Sequence, residues 1–337
     1  MQEKYYNVLA IIHKSNYSKL QKILARHGNW QTAWQSEKTT IDPDKEWEKL
    51  QNIPANLLLN DNPDFPKLLK EIPLPPLGIY ARGTIESQQP AIAIVGTRKA
   101  TPQGKEMARS FARALAKAGI TIVSGLAMGI DESAHRGALE GGGKTIAVLG
   151  TPPDYIYPRQ NAKLAEEILK SGGAIISEFP IGHNYYPANF LIRNRIISGL
   201  SSGILIIEAP ERSGSLATAR FAIEQNREVF VIPGGIKAPY YQGSNRLLKE
   251  GAALVTSPDD ILAALDMQMP EIGQQSHSEN SEEQKIISIF KRSKGNLTAQ
   301  ELLELGAGDP QELNTLLTML VIKGIIKESQ GIYSLCN

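Results

Sequence analysis

The sequence predicts an α/β protein built on a doubly wound, mostly parallel sheet. Three observations carry this expectation. Short apolar runs recur from residue 91 onward, at 91–95, 121–124, 145–149, 174–177, 203–208, 228–232 and 253–255. The runs are mostly apolar instead of alternating, as strands buried on both faces are. Helix-length stretches separate most of them, and strand-helix alternation of this kind is the pattern of a parallel sheet covered on both sides. Ligands of such sheets bind beyond the carboxyl ends of the strands. The loops at those ends are therefore where function is to be read.

Composition bounds the rest. The chain has 337 residues, too many for one ordinary core and suited to two or three domains. Hydrophobic residues make up 42%, a globular composition. The formal net charge is only +1, so any nucleic-acid contact must come from a local patch. Cys336 is the single cysteine and reads as an incidental thiol. No N-terminal stretch has the form of a secretory signal, and no apolar run approaches the roughly 18 residues of a membrane span. The expected compartment is a reduced cytoplasm. The five histidines are scattered, which gives a metal site no support.

Along the chain, helical spacing comes first. Tyr6, Leu9, Ala10 and Ile12, then Leu20, Ile23 and Leu24, then Trp47, Leu50 and Ile53 predict three or four short helices. Breaks are expected near Ser15-Asn16, at His27-Gly28-Asn29 and at Pro43. The prolines of Asp61-Asn62-Pro63-Asp64-Phe65-Pro66 and Ile72-Pro73-Leu74-Pro75-Pro76 forbid regular helix and read as a strap. The strand at 91–95 ends in Gly96, and Pro102 suits the first turn of a helix over 102–118. The strand at 121–124 leads through a Gly-rich loop to a helix from about Glu132. Residues 267–281, rich in Gln, Ser, Glu and Pro, read as a flexible linker.

The last segment reads as a winged helix. A first helix covers 282–291, and Thr298-Ala299-Gln300-Glu301 has the form of a capping box. Asp309-Pro310-Gln311-Glu312 opens a third helix that Gly324 ends. A hairpin follows over 325–335, turning at Ser329-Gln330-Gly331. The third helix has no Lys or Arg before Lys323. A helix that reads duplex DNA needs cations for affinity, so a protein contact or a structural module is expected here.

Four strand-end loops are candidates for chemistry: Gly96-Thr97-Arg98-Lys99, the run from Ser124-Gly125 to Asp131, the run from Ala209 to Ser213-Gly214-Ser215, and Pro233-Gly234-Gly235. Glycine and small hydroxyl residues just before a helix let backbone N–H groups point at an anion. Ser215 is placed to cap its helix, and Arg98 adds a planar, always charged donor. One such loop alone reads as a tight turn. Four on one edge, two of them with arginine, point to phosphate. A nucleotide cofactor is not expected. Gly-x-Gly-x-x-Gly is absent, and Ser124 stands where an acidic residue would hold ribose. Gly143-Lys144-Thr145 is only a fragment of a phosphate loop, at the start of a strand, and reads as structural.

Further along, Tyr185, Tyr186 and Phe190 precede Arg193-Asn194-Arg195. Aromatics interleaved with arginines suit stacked bases and phosphates together. A core-covering loop followed by a helix with solvated arginines fits the same spacing. Asp131 and His135, four apart, read as a structural pair. Glu178 and Glu208 sit at strand ends with nothing to pair them, and no catalytic residue is assigned.

These motifs together resemble the DNA-processing protein A family, also called Smf. The carriers are Ala93-Ile94-Val95-Gly96-Thr97-Arg98, the run Ile122-Val123-Ser124-Gly125-Leu126-Ala127-Met128-Gly129-Ile130-Asp131, Ser177-Glu178-Phe179-Pro180, Arg193-Asn194-Arg195-Ile196-Ile197-Ser198-Gly199-Leu200-Ser201 and Ser213-Gly214-Ser215-Leu216-Ala217-Thr218-Ala219. They run in order across essentially the whole α/β domain. The resemblance implies a sterile-alpha-motif-like helical domain at 1–65, a Rossmann-like DNA-binding domain at 66–266, the linker at 267–281 and the winged helix at 282–337. It implies a non-catalytic protein without a cofactor that binds and protects single-stranded DNA and helps load the RecA recombinase in natural transformation. It also implies a homodimer through the Rossmann-like domain, away from membranes. The implied DNA pocket holds Gly96, Thr97, Arg98, Ser124, Gly125, Phe190, Ser213, Gly214 and Ser215. Some family members carry a lysine where this chain has Pro187. Arg193, Arg195 and Lys237 are candidates to supply that cation, with Asn194 between the two arginines.

Two other readings stand beside this one. Phosphoribohydrolases of nucleoside monophosphates share a Pro-Gly-Gly loop. Here Pro233-Gly234-Gly235 runs into Ile236-Lys237-Ala238 and lacks the Gly-Thr-x-x-Glu that supplies their carboxylate. An adaptor role through the terminal domains is the third reading.

Overall fold

Alternate side chains of a strand point to opposite faces, and here both faces are dry. Along β3 (Ala91–Val95), Ala91, Ala93 and Val95 enter one hydrophobic cluster, while Ile92 and Ile94 enter another. This is why the run is apolar throughout. The computed structural model describes residues 2–37, 39–85, 90–182, 184, 186–265, 286–290, 293, 296–305, 310–322, 325–329 and 331–335. It divides into two compact units, Met1–Pro270 and Glu271–Asn337.

The first unit opens with helices α1 (Gln2–Ile12), α2 (Tyr17–His27), α3 (Trp30–Ser36) and α4 (Pro43–Gln51). Their breaks fall where expected. Asn16 caps α2 by accepting from Lys19 N, Gly28 ends it at φ +78°, and Pro43 opens α4. Strand β1 (Asn56–Leu59), the short helix α5 (Lys67–Lys70) and β2 (Gly78–Gly83) follow. The two strands were not anticipated. β2 has a brief apolar stretch hard against the proline strap, too short for its period to register. Tyr6, Leu9, Leu20, Trp30 and Leu50 pack on Leu57, Leu59, Leu77 and Tyr80. The buried Tyr80 hydroxyl donates to Asn7 Oδ1 at 2.8 Å.

Beyond β3 come α6 (Pro102–Lys117), β4 (Thr121–Ser124), α7 (Ile130–Glu140), β5 (Thr145–Leu149), α8 (Ala162–Lys170) and β6 (Ala174–Ser177). Then come α9 (Pro187–Gly199), β7 (Gly203–Ile206), α10 (Ser215–Glu224), β8 (Glu228–Val231), α11 (Gln242–Lys249), β9 (Ala253–Leu254) and α12 (Pro258–Ala264). The sheet order is β1-β2-β6-β5-β4-β3-β7-β8-β9. β3 to β9 pair in parallel, and β1 and β2 add an antiparallel edge through β6. The chain thus starts its parallel region in the middle, runs outward to β6, and returns beside β3 to run the other way. The order reverses between β3 and β7. A crevice is expected above such a reversal. Ala108, Phe111, Leu115, Ala134 and Ala138 of α6 and α7 cover one face, with Ile92 and Ile94. Ile196, Ile197, Leu216 and Ala219 of α9 and α10 cover the other.

Both strand-end glutamates are structural. Glu208 accepts from Thr101 N at 2.9 Å and from the Thr101 hydroxyl at 2.5 Å. It thereby holds the residue that caps α6, and Gly104 leaves it room: a Cβ there would lie 2.4 Å from the Glu208 carboxyl carbon. Glu178 Oε1 accepts from Arg195 Nη2 at 2.6 Å, with both side chains 5% exposed. Arg195 Nε also donates to Leu74 O at 3.0 Å. The pair fastens α9 to the end of β6 and to the strap.

In the second unit, residues 286–290 are helical. Then come β10 (Leu297–Thr298), α13 (Ala299–Glu304), α14 (Pro310–Ile322), β11 (Ile326–Ser329) and β12 (Ile332–Leu335). The expected capping box is present: Glu301 N donates to Thr298 Oγ1, and Thr298 N donates to Glu301 Oε2. The expected hairpin gains a third strand, in the order β10-β12-β11. Phe290, Leu302, Leu313, Leu317, Leu320 and Ile326 form its core. The linker at 267–281, the start of its first helix and Cys336 lie outside the described residues. Among the described residues no helix is long and apolar enough to cross a membrane.

Removing one partner of a buried ion pair strands the other charge, at about 3–5 kcal/mol. Arg195→Met is therefore expected to lower unfolding free energy by about 3 kcal/mol, read by urea denaturation. A midpoint equal to that of the parent chain would show that the pair does not hold α9.

Candidate nucleic-acid interface

Two loops face each other at the strand reversal. After β3 the backbone turns at Gly96, and Thr97 N donates to Glu208 O at 2.7 Å. Thr97 O accepts from Ile130 N, at the start of α7, at 3.3 Å. Gly129 makes this approach possible. Its φ is +87°, and a Cβ there would lie 2.5 Å from Thr97 O and 2.7 Å from Arg98 O. Opposite, the loop after β7 carries Ser213, Gly214 and Ser215 into α10. The Ser213 and Ser215 hydroxyls are 2.7 Å apart. Ser215 is the first helical residue and Gly214 the N-cap, so Ser215 does not cap the helix as expected. Ser213 Oγ accepts weakly from Ser215 N, at 3.4 Å. The positive end of α10 opens at this loop.

Between the loops lies a cavity of about 300 Å³. Gly96, Thr97, Arg98, Phe190, Arg193, Asn194, Ser213, Gly214 and Ser215 all line it. Helix α9 supplies the wall. The Arg98 guanidinium sits over the Phe190 ring, 5.7 Å from its centroid. Asn194 Nδ2 donates to Gly214 O at 3.3 Å, tying the helix to the serine loop. Lys99 and Arg212 add cations to the lining. A second cavity, of about 270 Å³, also borders Phe190. It shares Arg98, Lys99 and Arg193 with the first, takes Gly125, and adds Met128, Tyr157 and Pro158.

Arg193 is buried, not solvated. Its Nη1 donates to Gly125 O at 2.9 Å and to Val148 O, and its Nε donates to Asn194 Oδ1 at 3.2 Å. Burial pulls its guanidinium down to about 10, and the Asp131 carboxylate works against that fall. Asp131 Oδ2 accepts from Gly125 N at 3.1 Å. Burial pushes the Asp131 carboxyl up to about 6, with Arg193 and two backbone donors holding it from going further.

Several expected site residues lie elsewhere. The Ser124 hydroxyl is buried and donates to Ile94 O at 2.7 Å. Arg195 points to Glu178 and Leu74, away from the cavity (alternate residues of a helix face apart). Lys237 is exposed beyond β8 and lines neither cavity. Tyr186 is exposed, and Tyr185 lies outside the described residues. Asp131 and His135 are not partners. His135 Nδ1 lies 2.7 Å from Thr145 Oγ1, and burial pulls its imidazole down to about 3. Of the residues not assigned from sequence, Lys99 and Arg212 had a signal, being charges within the strand-end loops. Asp131 was assigned to the wrong partner. Tyr157 had none, since it enters from the loop after β5.

The model of the DNA recombination-mediator protein A family matches residues 56–266. The chain belongs to this family. The match begins at β1 and covers the whole sheet. A curated relative, Protein Smf of Synechocystis sp., is 43% identical over 234 residues, covering 68% of this chain and 58% of its own. The chain thus spans less than two thirds of that relative. The X-ray structure of DNA processing protein A from Streptococcus pneumoniae aligns at TM-score 0.63 and 37% identity, over 69% of this chain and 80% of that one. DNA processing protein A from Helicobacter pylori, solved for its single-stranded DNA binding mode, aligns at TM-score 0.56 and 33% identity, over 63% and 95%.

The raised Asp131 value has a direction. Unfolded, an aspartate titrates near 3.9; folded, this one titrates at about 6. The folded chain binds the proton more tightly, so this group's contribution is full below about pH 4 and is lost as pH rises through 6. Between pH 4 and 7 the parent chain is expected to lose about 2 kcal/mol relative to Asp131→Asn, measured by urea denaturation across the range. A constant difference would contradict it.

Proposed function

We propose that this DprA/Smf family member binds single-stranded DNA as a recombination mediator, with phosphates at the Gly96–Arg98 and Ser213–Ser215 loops and a base on Phe190. The observation that carries the reading is Arg98 held over Phe190 in a cavity lined by the Gly96–Arg98 and Ser213–Ser215 loops. A cation beside an aromatic ring suits the alternation of phosphate and base along a strand. A ring can stack only on a base that has left its duplex, which favours single strands. The Helicobacter pylori relative, described as binding single-stranded DNA, supports the same assignment. Lys99 and Arg212 line the cavity and take the place of the absent lysine; Arg193 acts as its buried floor.

The cellular role follows the family: protecting incoming DNA and helping to load RecA during natural transformation, as a cytoplasmic homodimer through the Rossmann-like domain. In this reading residues 1–65 are a helical domain, 66–266 bind DNA, 267–281 link, and 282–337 form a winged helix that meets protein. The role is non-catalytic. Glu178 and Glu208, the carboxylates at strand ends, are occupied by Arg195 and Thr101. The Pro233-Gly234-Gly235 loop is clipped to α11 by Asn245, whose Nδ2 donates to Gly234 O at 3.0 Å. Release of free base from a nucleotide by the purified chain would overturn this part.

Fluorescence anisotropy with a deoxythymidine oligomer tests the binding. Affinity is expected to fall steeply with salt as phosphate counterions are displaced. Arg98→Ala should weaken binding about tenfold and lower the log–log salt slope by about 0.7, one phosphate contact on a single strand. Equal affinity for duplex, or unchanged binding by Arg98→Ala, would sink the proposal.

A further inference from the structure

We propose that the second cavity is a seat for one unpaired nucleobase, with Tyr157 and Met128 as its walls. The inference rests on the single-strand reading above and adds a base-binding subsite to it. The two cavities, which share Phe190, differ in chemistry. The first meets the serine loop, Thr97 and Arg212; the second is rimmed by Met128, Tyr157 and Pro158. An anion belongs in the first. The second asks for a flat, apolar group attached to that anion by a short reach, because Arg98, Lys99 and Arg193 border both.

The rim is exposed in a way that packing does not require. Met128 is 48% and Tyr157 39% exposed. Tyr157 lies 5.3 Å from Phe190, centroid to centroid, at an interplanar angle of 54°. The rings are inclined to each other and not stacked, and Tyr157, Phe190 and Met128 border one slot, the second cavity. Thioether and aromatic surfaces are both good partners for a π face.

The rim is also held in place. Leu126 adopts φ +57°, a left-handed conformation uncommon outside glycine, with its side chain fully buried. Asn161 Nδ2 fixes that residue by donating to Leu126 O at 2.9 Å. Two residues on, Met128 is thereby presented to the slot. On the other wall, Thr151 Oγ1 donates to Tyr155 O at 2.6 Å, and Ser177 Oγ donates to Thr151 O at 2.6 Å. Gly150 admits Phe190 to the same place, since a Cβ there would lie 2.8 Å from Phe190 Cδ1. Backbone strain of this kind clusters at ligand clamps, where the surrounding structure holds it in place. The polar groups at its floor are engaged with one another: Gly125 O and Val148 O with Arg193, Gly125 N with Asp131. The cations that border it, Arg98 and Lys99, suit a phosphate more than a base edge, so the seat takes a base by stacking.

The test uses the full chain, a deoxythymidine oligomer, and an oligomer of the same length carrying abasic sites throughout. Tyr157→Ala is expected to weaken binding to the deoxythymidine oligomer about tenfold, within the range of base stacking, with the salt slope unchanged. Tyr157→Phe should bind within about twofold of the parent, because the ring suffices. On the abasic oligomer, parent and Tyr157→Ala should bind alike. A 5-iododeoxyuridine oligomer should photocrosslink to Tyr157 or Met128. If Tyr157→Ala binds deoxythymidine like the parent while Arg98→Ala does not, the base seat falls and the DNA reading stands. Equal losses on both oligomers, or crosslinks confined to Phe190, likewise overturn the seat. If the parent binds neither oligomer, both proposals fall together.

Discussion

A guanidinium that is 4% exposed must find its hydrogen-bond acceptors inside the protein. Arg193 finds them at the carboxyl ends of β4 and β5, on Gly125 O and Val148 O. A helix that crosses above a sheet is free to slide and roll unless something fixes its register. Here Arg193 pins α9 over two strands, Asn194 pins it to the serine loop, and Arg195 pins it to β6 and the strap. Phe190 lies one turn before Arg193. Its place at both cavities follows from these anchors and owes little to helix propensity.

The same economy governs the loop opposite. Arg98 is exposed, but the backbone that carries it is not free. Thr97 is bonded to Glu208 O on one side and to Ile130 N on the other, and Gly129 lets the two segments close to contact distance. Glu208 in turn caps the region of α6 through Thr101. The carboxylates at the strand ends are thus spent on shaping the crevice. What they leave facing the solvent is positive charge and aromatic surface, in a protein whose net charge is near neutral.

The parallel sheet was legible because strands buried on both faces must be apolar without interruption, and the runs at 91–95, 121–124 and 145–149 became β3, β4 and β5. β1 and β2 escaped notice because this antiparallel pair flanks a proline strap, whose helix and strand breakers mask their apolar runs. The glycine loops announced themselves through residue type, and the strand reversal brought two of them together. Spacing could not separate the roles of Arg193 and Arg195. Two residues along a helix turn a side chain by about 200°, and only the packed helix shows which arginine faces the crevice. Ser124 ends its strand as expected, but its hydroxyl turns inward onto Ile94 O and not into the crevice. Tyr157 is distant in sequence from Phe190, so no local pattern could place it beside that ring. Lys99 and Arg212 stood in plain view within the loops.

Glu178 has a second tie. Its backbone carbonyl accepts from the Ser15 hydroxyl at 3.1 Å, at the joint between α1 and α2. Its carboxylate holds Arg195, and Arg195 holds the helix that carries Phe190. The helical front of the chain therefore bears on the same residue that braces α9, in addition to its packing against β1 and β2. In mechanical terms the front is a strut and not a pendant: it buttresses the strand end from which α9 takes its bearing.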